Sequence, residues 1–119
     1  MATLSVVDYG TSNLLSVTRA LNHVGAVVEI VSNAEQVTKA DRLVLPGVGA
    51  FGNCQRGLKA RGLWEFVGKF MRSGKPFLGI CVGMQMMLEG SEEFGDHQGF
   101  GLIPGRVGAI PTHGANGKP

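Results

Sequence analysis

Short apolar runs alternate along this chain with segments in which apolar side chains recur every third or fourth position, a rhythm that predicts strands and helices in turn. Residues 4–7 form a first apolar run that stops at the turn-prone trio Asp8-Tyr9-Gly10. Ser12 or Asn13 can then cap a helix with Leu14, Val17, Leu21 and Val24 on one face and Gly25 at its end. The β-branched run 27–31 predicts a second strand, and Asn33 the cap of a short helix. A third strand, 43–45, halts at Pro46-Gly47. Helices over about 53–60 and 63–71 follow, divided near Gly62, with Leu63, Phe66, Val67 and Phe70 at helical spacing. Residues 77–80 make a fourth strand and 82–88 the helix behind it. Glu92, Glu93, Gly95 and Asp96 then form an acidic loop, 106–110 a further strand, and 111–119 a turn-rich tail.

Strands alternating with helices imply βαβ units, hence an α/β domain whose mainly parallel sheet carries helices on both faces. In such sheets chemistry gathers beyond the carboxyl ends of the strands. Loops 8–13, 46–52 and 81–85 all fall there. There is no internal repeat and no linker, so 1–119 reads as a single domain.

Composition narrows the choice by exclusion. With 44% hydrophobic and 17% charged residues the chain is globular, and a net charge of +2 is too small to argue for nucleic acid or an anionic membrane surface. No apolar run approaches a membrane span, and no signal-type block opens the sequence. The two cysteines, Cys54 and Cys81, stand in unlike contexts, which points to a reducing cytoplasm rather than a disulfide. Glycine, at 19 residues, gathers at the ends of apolar runs, where tight loops belong.

Cys81 carries the chemistry. Gly79-Ile80-Cys81-Val82-Gly83 leaves the fourth strand for a helix, the pattern of a nucleophile elbow with Cys in place of Ser. Flanking glycines permit the sharp turn, and a helix N-terminus favours the thiolate. The competing reading is a structural buried thiol. Residues 46–52, Pro-Gly-Val-Gly-Ala-Phe-Gly, lack the Walker ending and would suit backbone amides turned toward a developing oxyanion. A thiolate attacking a carboxamide needs two such donors, each worth on the order of 3 kcal/mol in the transition state. The amide of Val82 is one, and an amide near Val48 the other. Cys54, at the start of a helical stretch, reads as a packing or surface thiol.

The 79–85 run resembles the nucleophile signature of the class I, triad-type glutamine amidotransferases. Within that family 8–14, 46–52 and 101–107 resemble the glutaminase subunits that serve a cyclase in histidine biosynthesis. The resemblance covers essentially the whole chain. It departs at Ser12, where the family usually has glycine. It implies a three-layer, flavodoxin-like fold, truncated here to its N-terminal part. Cys81 would attack the side-chain amide of glutamine, give a γ-glutamyl thioester and release ammonia. Val82 with Gly47, Val48 and Gly49 would form the oxyanion hole, and Gln85 and Met84 would hold the substrate. The partner would be a (β/α)₈-barrel cyclase in a heterodimer, with no metal or organic cofactor.

The family's triad also needs a histidine, with a glutamate two residues later, to move the proton. None of the three histidines fits. His23 lies in the first helix, and His97 in the acidic loop is expected to be solvated. His113 has Ala115 two positions on. Residues 1–119 alone are therefore expected to show negligible glutaminase activity. A glutaminase of another pathway and a non-catalytic binding module on the same fold stay open as alternatives.

Overall fold

The computed structural model describes residues 3–10 and 13–111. The candidate histidine His113 lies outside them. Four parallel strands, β1 (Thr3–Val7), β2 (Val27–Val31), β3 (Leu43–Leu45) and β4 (Phe77–Gly79), form a sheet in the order β2-β1-β3-β4. The order reverses between β1 and β3, which opens a crevice at their carboxyl ends. Helices α1 (Leu14–His23), α2 (Ala34–Lys39), α3 (Phe51–Ala60) and α4 (Trp64–Arg72) connect the strands.

Local chemistry sets the helix starts. Asn13 accepts from the Ser16 amide at 3.3 Å, so of the two expected caps the asparagine fills the role. Asn33 accepts from Gln36 N at 2.9 Å while the Gln36 side chain reaches back to Ser32 N at 2.9 Å, a reciprocal pair that fixes the entry to α2.

Strand alternation divides the core. Val7, Val31, Leu43, Leu45 and Phe77 share one face, with the side chains of α2–α4 packed against it. Right-handed crossovers place α1 on the opposite face, because β1 to β2 runs one way along the sheet and β2 to β3 the other. On that second face Val6 and Val44 are fully buried at the centre, whereas Ile30 and Leu78 on the outer strands remain 41% and 49% exposed. The expected three-layer cover is thus complete in the middle of the sheet and thin at its flanks.

Two expectations need correction beyond β4. The helix expected over 82–88 is the single turn α5 (Val82–Gln85), and Leu88 opens a strand, β5 (Leu88–Ser91). The backbone carbonyls that would continue the helix are claimed from outside. Met86 O accepts from Phe100 N at 2.8 Å, and Met87 O accepts from Leu102 and Ile103 N at 2.9 and 3.0 Å. The last strand is β7 (Ile103–Val107), not 106–110, and with β6 (His97–Gln98) it builds a second sheet, β6-β5-β7. β7 pairs only with β5, an edge position that accommodates Pro104.

This small sheet is fastened to the main body. Phe100 stacks on Trp64 with ring centroids 3.8 Å apart, and Gln55 Nε2 donates to the Gln98 carbonyl. The acidic loop is tied down as well. Glu93 Oε1 accepts from Phe51 N at 3.0 Å at the start of α3, where the cap residue Ala50 offers no side-chain oxygen.

Candidate active site

Cys81 sits where β4 turns into α5, with φ 55° and ψ −118°, one of two non-glycine residues at positive φ among those described. An L-residue reaches that region at a cost of order 1–3 kcal/mol, and such strain gathers at functional sites. Its thiol is exposed. The strained strand-to-helix turn that the glycine spacing predicts is therefore present, and the buried structural cysteine is not. Cys81→Gly, which removes the Cβ responsible for the strain and little packing, is expected to stabilise the fold by about 1 kcal/mol. A thermal or urea melt checks this, and an unchanged or lower midpoint would count against strain at the elbow.

The turn closes by backbone contact alone. Ile80 N donates to Leu45 O at 3.0 Å, and Gly83 N returns to Ile80 O at 2.9 Å. A Cβ on Gly83 would lie 1.8 Å from Leu45 O, and one on Gly79 2.8 Å from Met84 N. Gly83 lets the helix sit directly on the end of β3, and Gly79 lets it fold back over the end of β4.

The 46–52 loop lies against this elbow. Val82 N–H donates to the Gly47 carbonyl at 3.2 Å. Because the peptide is trans, the Val48 N–H points the other way. Gln85 N donates to Cys81 O at 3.0 Å, so the Val82, Gly83 and Gln85 amides of this one-turn helix already have acceptors. The structure thus brings Gly47, Val82 and Cys81 together, with the Gly47 carbonyl oxygen seated on the Val82 amide. Gly47 itself is buried, and a Cβ there would fall 2.7 Å from the Tyr9 hydroxyl and 2.9 Å from Gly83 N. Val48 and Gly49 are exposed, as is Met84, while Gln85 is half-buried.

Three contributors escaped the sequence reading. Tyr9, fully buried at the end of β1, donates its hydroxyl to the Pro46 carbonyl. Cys54, buried in α3, donates its thiol to the Val48 carbonyl at 3.3 Å. Glu93 anchors the amide of Phe51. Only the position of Tyr9, at the carboxyl end of a strand, carried a signal. The other two contacts are long-range or depend on a helix starting at Phe51, two residues before the expected 53.

The two described histidines stay apart from the nucleophile. His97, expected in solvent, is half-buried on β6, stacked on Phe51 with Nε2 3.3 Å from Phe94 O. His23 is exposed at the end of α1. Among the described residues no hydrogen bond joins a histidine to Cys81, no three His, Cys, Asp or Glu side chains gather as a metal site, and no helix is long and apolar enough to cross a membrane.

Known proteins place this geometry in context. The family model of class-I glutamine amidotransferases matches residues 5–117. Imidazole glycerol phosphate synthase subunit HisH 1 of Legionella pneumophila (strain Lens) is 54% identical over 118 residues, covering 99% of this chain and 55% of that protein. The HisH subunit of Sulfurimonas denitrificans is 46% identical over 109 residues, covering 92% of this chain and 53% of its own length. The chain thus spans about half the length of the curated relatives it matches. In fold it is similar to a candidate peptidase E from Listeria monocytogenes EGD-e, with a TM-score of 0.67 at 14% identity over 86% of this chain and 63% of that one. The chain belongs to the class-I glutamine amidotransferases.

Proposed function

We propose that this chain is the nucleophile-bearing part of a glutaminase subunit of imidazole glycerol phosphate synthase, acting in histidine biosynthesis in the cytoplasm. The observation that carries the reading is the exposed Cys81 thiol on a positive-φ elbow whose next amide faces the 46–52 loop. The degree of identity to the HisH subunits supports the pathway and weighs against a glutaminase serving another.

Cys81 Sγ attacks the δ-carbon of glutamine, and the carbonyl π electrons move to oxygen. The tetrahedral intermediate collapses with cleavage of the C–N bond, and ammonia leaves after taking a proton from a general acid. Water then cleaves the thioester to glutamate and restores the thiol. The Val82 amide and a loop amide at Gly47–Gly49 stabilise the oxyanion, which requires the Gly47 carbonyl to leave Val82 N and the Val48 N–H to turn inward. Gln85 and Met84 line the substrate side. The partner is a (β/α)₈-barrel cyclase that receives the ammonia.

A non-catalytic module is the second reading, favoured by the absence of a histidine at Cys81 among the described residues. A glutamine-mimicking electrophile separates the two. A single adduct on Cys81, suppressed by excess glutamine and absent from Cys54, is expected. An unlabelled Cys81, or labelling indifferent to glutamine, would favour the binding module.

A further inference from the structure

Three consecutive carbonyls of the 46–52 loop have three different donors. Pro46 O is held by the Tyr9 hydroxyl, Gly47 O by the Val82 amide and Val48 O by the Cys54 thiol. The outer two donors are side chains of buried residues, Tyr9 at the end of β1 and Cys54 inside α3. The middle donor is a backbone amide of the elbow itself. A single peptide can reverse between two fixed neighbours, since opposite changes in ψ of one residue and φ of the next turn one plane and leave the flanking planes in place. Gly47, without a Cβ, supplies the conformational freedom on one side of that plane.

We infer that Cys54 is a positioning residue: its thiol tethers the Val48–Gly49 peptide, as Tyr9 tethers Pro46–Gly47, so that reversal is confined to the Gly47–Val48 peptide beside Cys81. This rests on reading the loop as the source of an oxyanion donor, and it adds what holds the two peptides on either side of the one that turns. A thiol is a weak donor, suited to fixing a carbonyl's direction inside a packed helix. Glu93 on Phe51 N holds the same segment from the helix side.

The tether is tested in the chain itself. Protein labelled with ¹³C at valine carbonyls and ¹⁵N at glycine reports the Val48–Gly49 peptide directly, in Cys54→Ser, which keeps a donor, and Cys54→Val, which fills the space without one. The serine variant is expected to keep the Val48 carbonyl shift. The valine variant is expected to lose it, moving toward the shift of a carbonyl without that donor. A valine variant that matches the unsubstituted chain, or a serine variant that behaves like valine, overturns the tether and leaves Cys54 a packing residue. Should the variants fail to fold, the infrared S–H stretch of the unsubstituted chain decides, with Cys81→Ala isolating the Cys54 band. A band shifted from its position in urea supports the bond, and an unshifted one refutes it. If these signals hold while Cys81 takes no glutamine-mimicking electrophile, the glutaminase reading fails and the tether stands.

Discussion

The 119-residue chain by itself is expected to release ammonia from glutamine about 10⁴- to 10⁶-fold more slowly than a class I glutaminase with an imidazole beside its nucleophile. Two steps lose their support. Among the described residues the thiol has no neighbouring base to take its proton, and the departing nitrogen has no acid to supply one. The described histidines are committed elsewhere, His97 against Phe51 and Phe94 and His23 at the exposed end of α1. The Gly47 carbonyl on Val82 N removes an oxyanion donor as well, and one such donor is worth about 3 kcal/mol. Glutamate formation by the purified chain, compared with Cys81→Ala, measures this. Turnover within tenfold of an intact glutaminase and lost in the alanine variant would show that a base is present after all. Added imidazole is expected to raise a residual Cys81-dependent rate, because it supplies the missing proton carrier in solution.

Gly83→Ala is expected to cost about 3 kcal/mol or more of folding stability. The new methyl group would sit 1.8 Å from Leu45 O and 2.8 Å from Leu45 C, both backbone atoms of a central strand. No side-chain rotation relieves such a contact, so α5 must lift off β3 and break the Ile80–Leu45 and Val82–Gly47 hydrogen bonds. In urea this appears as a midpoint lower by about 1–2 M with little change in slope. Gly49→Ala is the comparison. Nothing lies within 4 Å of its Cβ, although φ is 85°, so only the strain of about 1 kcal/mol is expected there. Equal losses in the two variants would mean that the approach of helix to strand tolerates a methyl group and that the elbow is looser than its contacts imply.

The main sheet was legible because its signals are local. Residues 27–31 and 43–45 are short apolar runs closed by turn residues, and Asn33 announces its helix by the bond it makes three residues on. The elbow was legible for the same reason, since paired glycines around a cysteine describe a backbone shape as much as a side chain. The second sheet was not. Leu88–Ser91 has too few alternating positions to outvote the helical run before it, and the carbonyls that end α5 are claimed by amides more than ten residues away. His97 was misplaced because its stacking on Phe51 crosses two elements. The closed state of the loop was equally invisible, since Pro-Gly-Val-Gly permits either orientation of the Gly47–Val48 peptide and only the neighbouring Val82 amide selects one.

The backbone of Cys81 also bears on how such a gene changes over time. At φ 55° glycine is the more comfortable residue, and one base change in a cysteine codon produces it. A gene copy released from any demand for a thiol therefore has a stabilising step within a single mutation. Random drift and the advantage of a sturdier fold both lead away from cysteine at this position. A chain that keeps Cys81 does so against that slope.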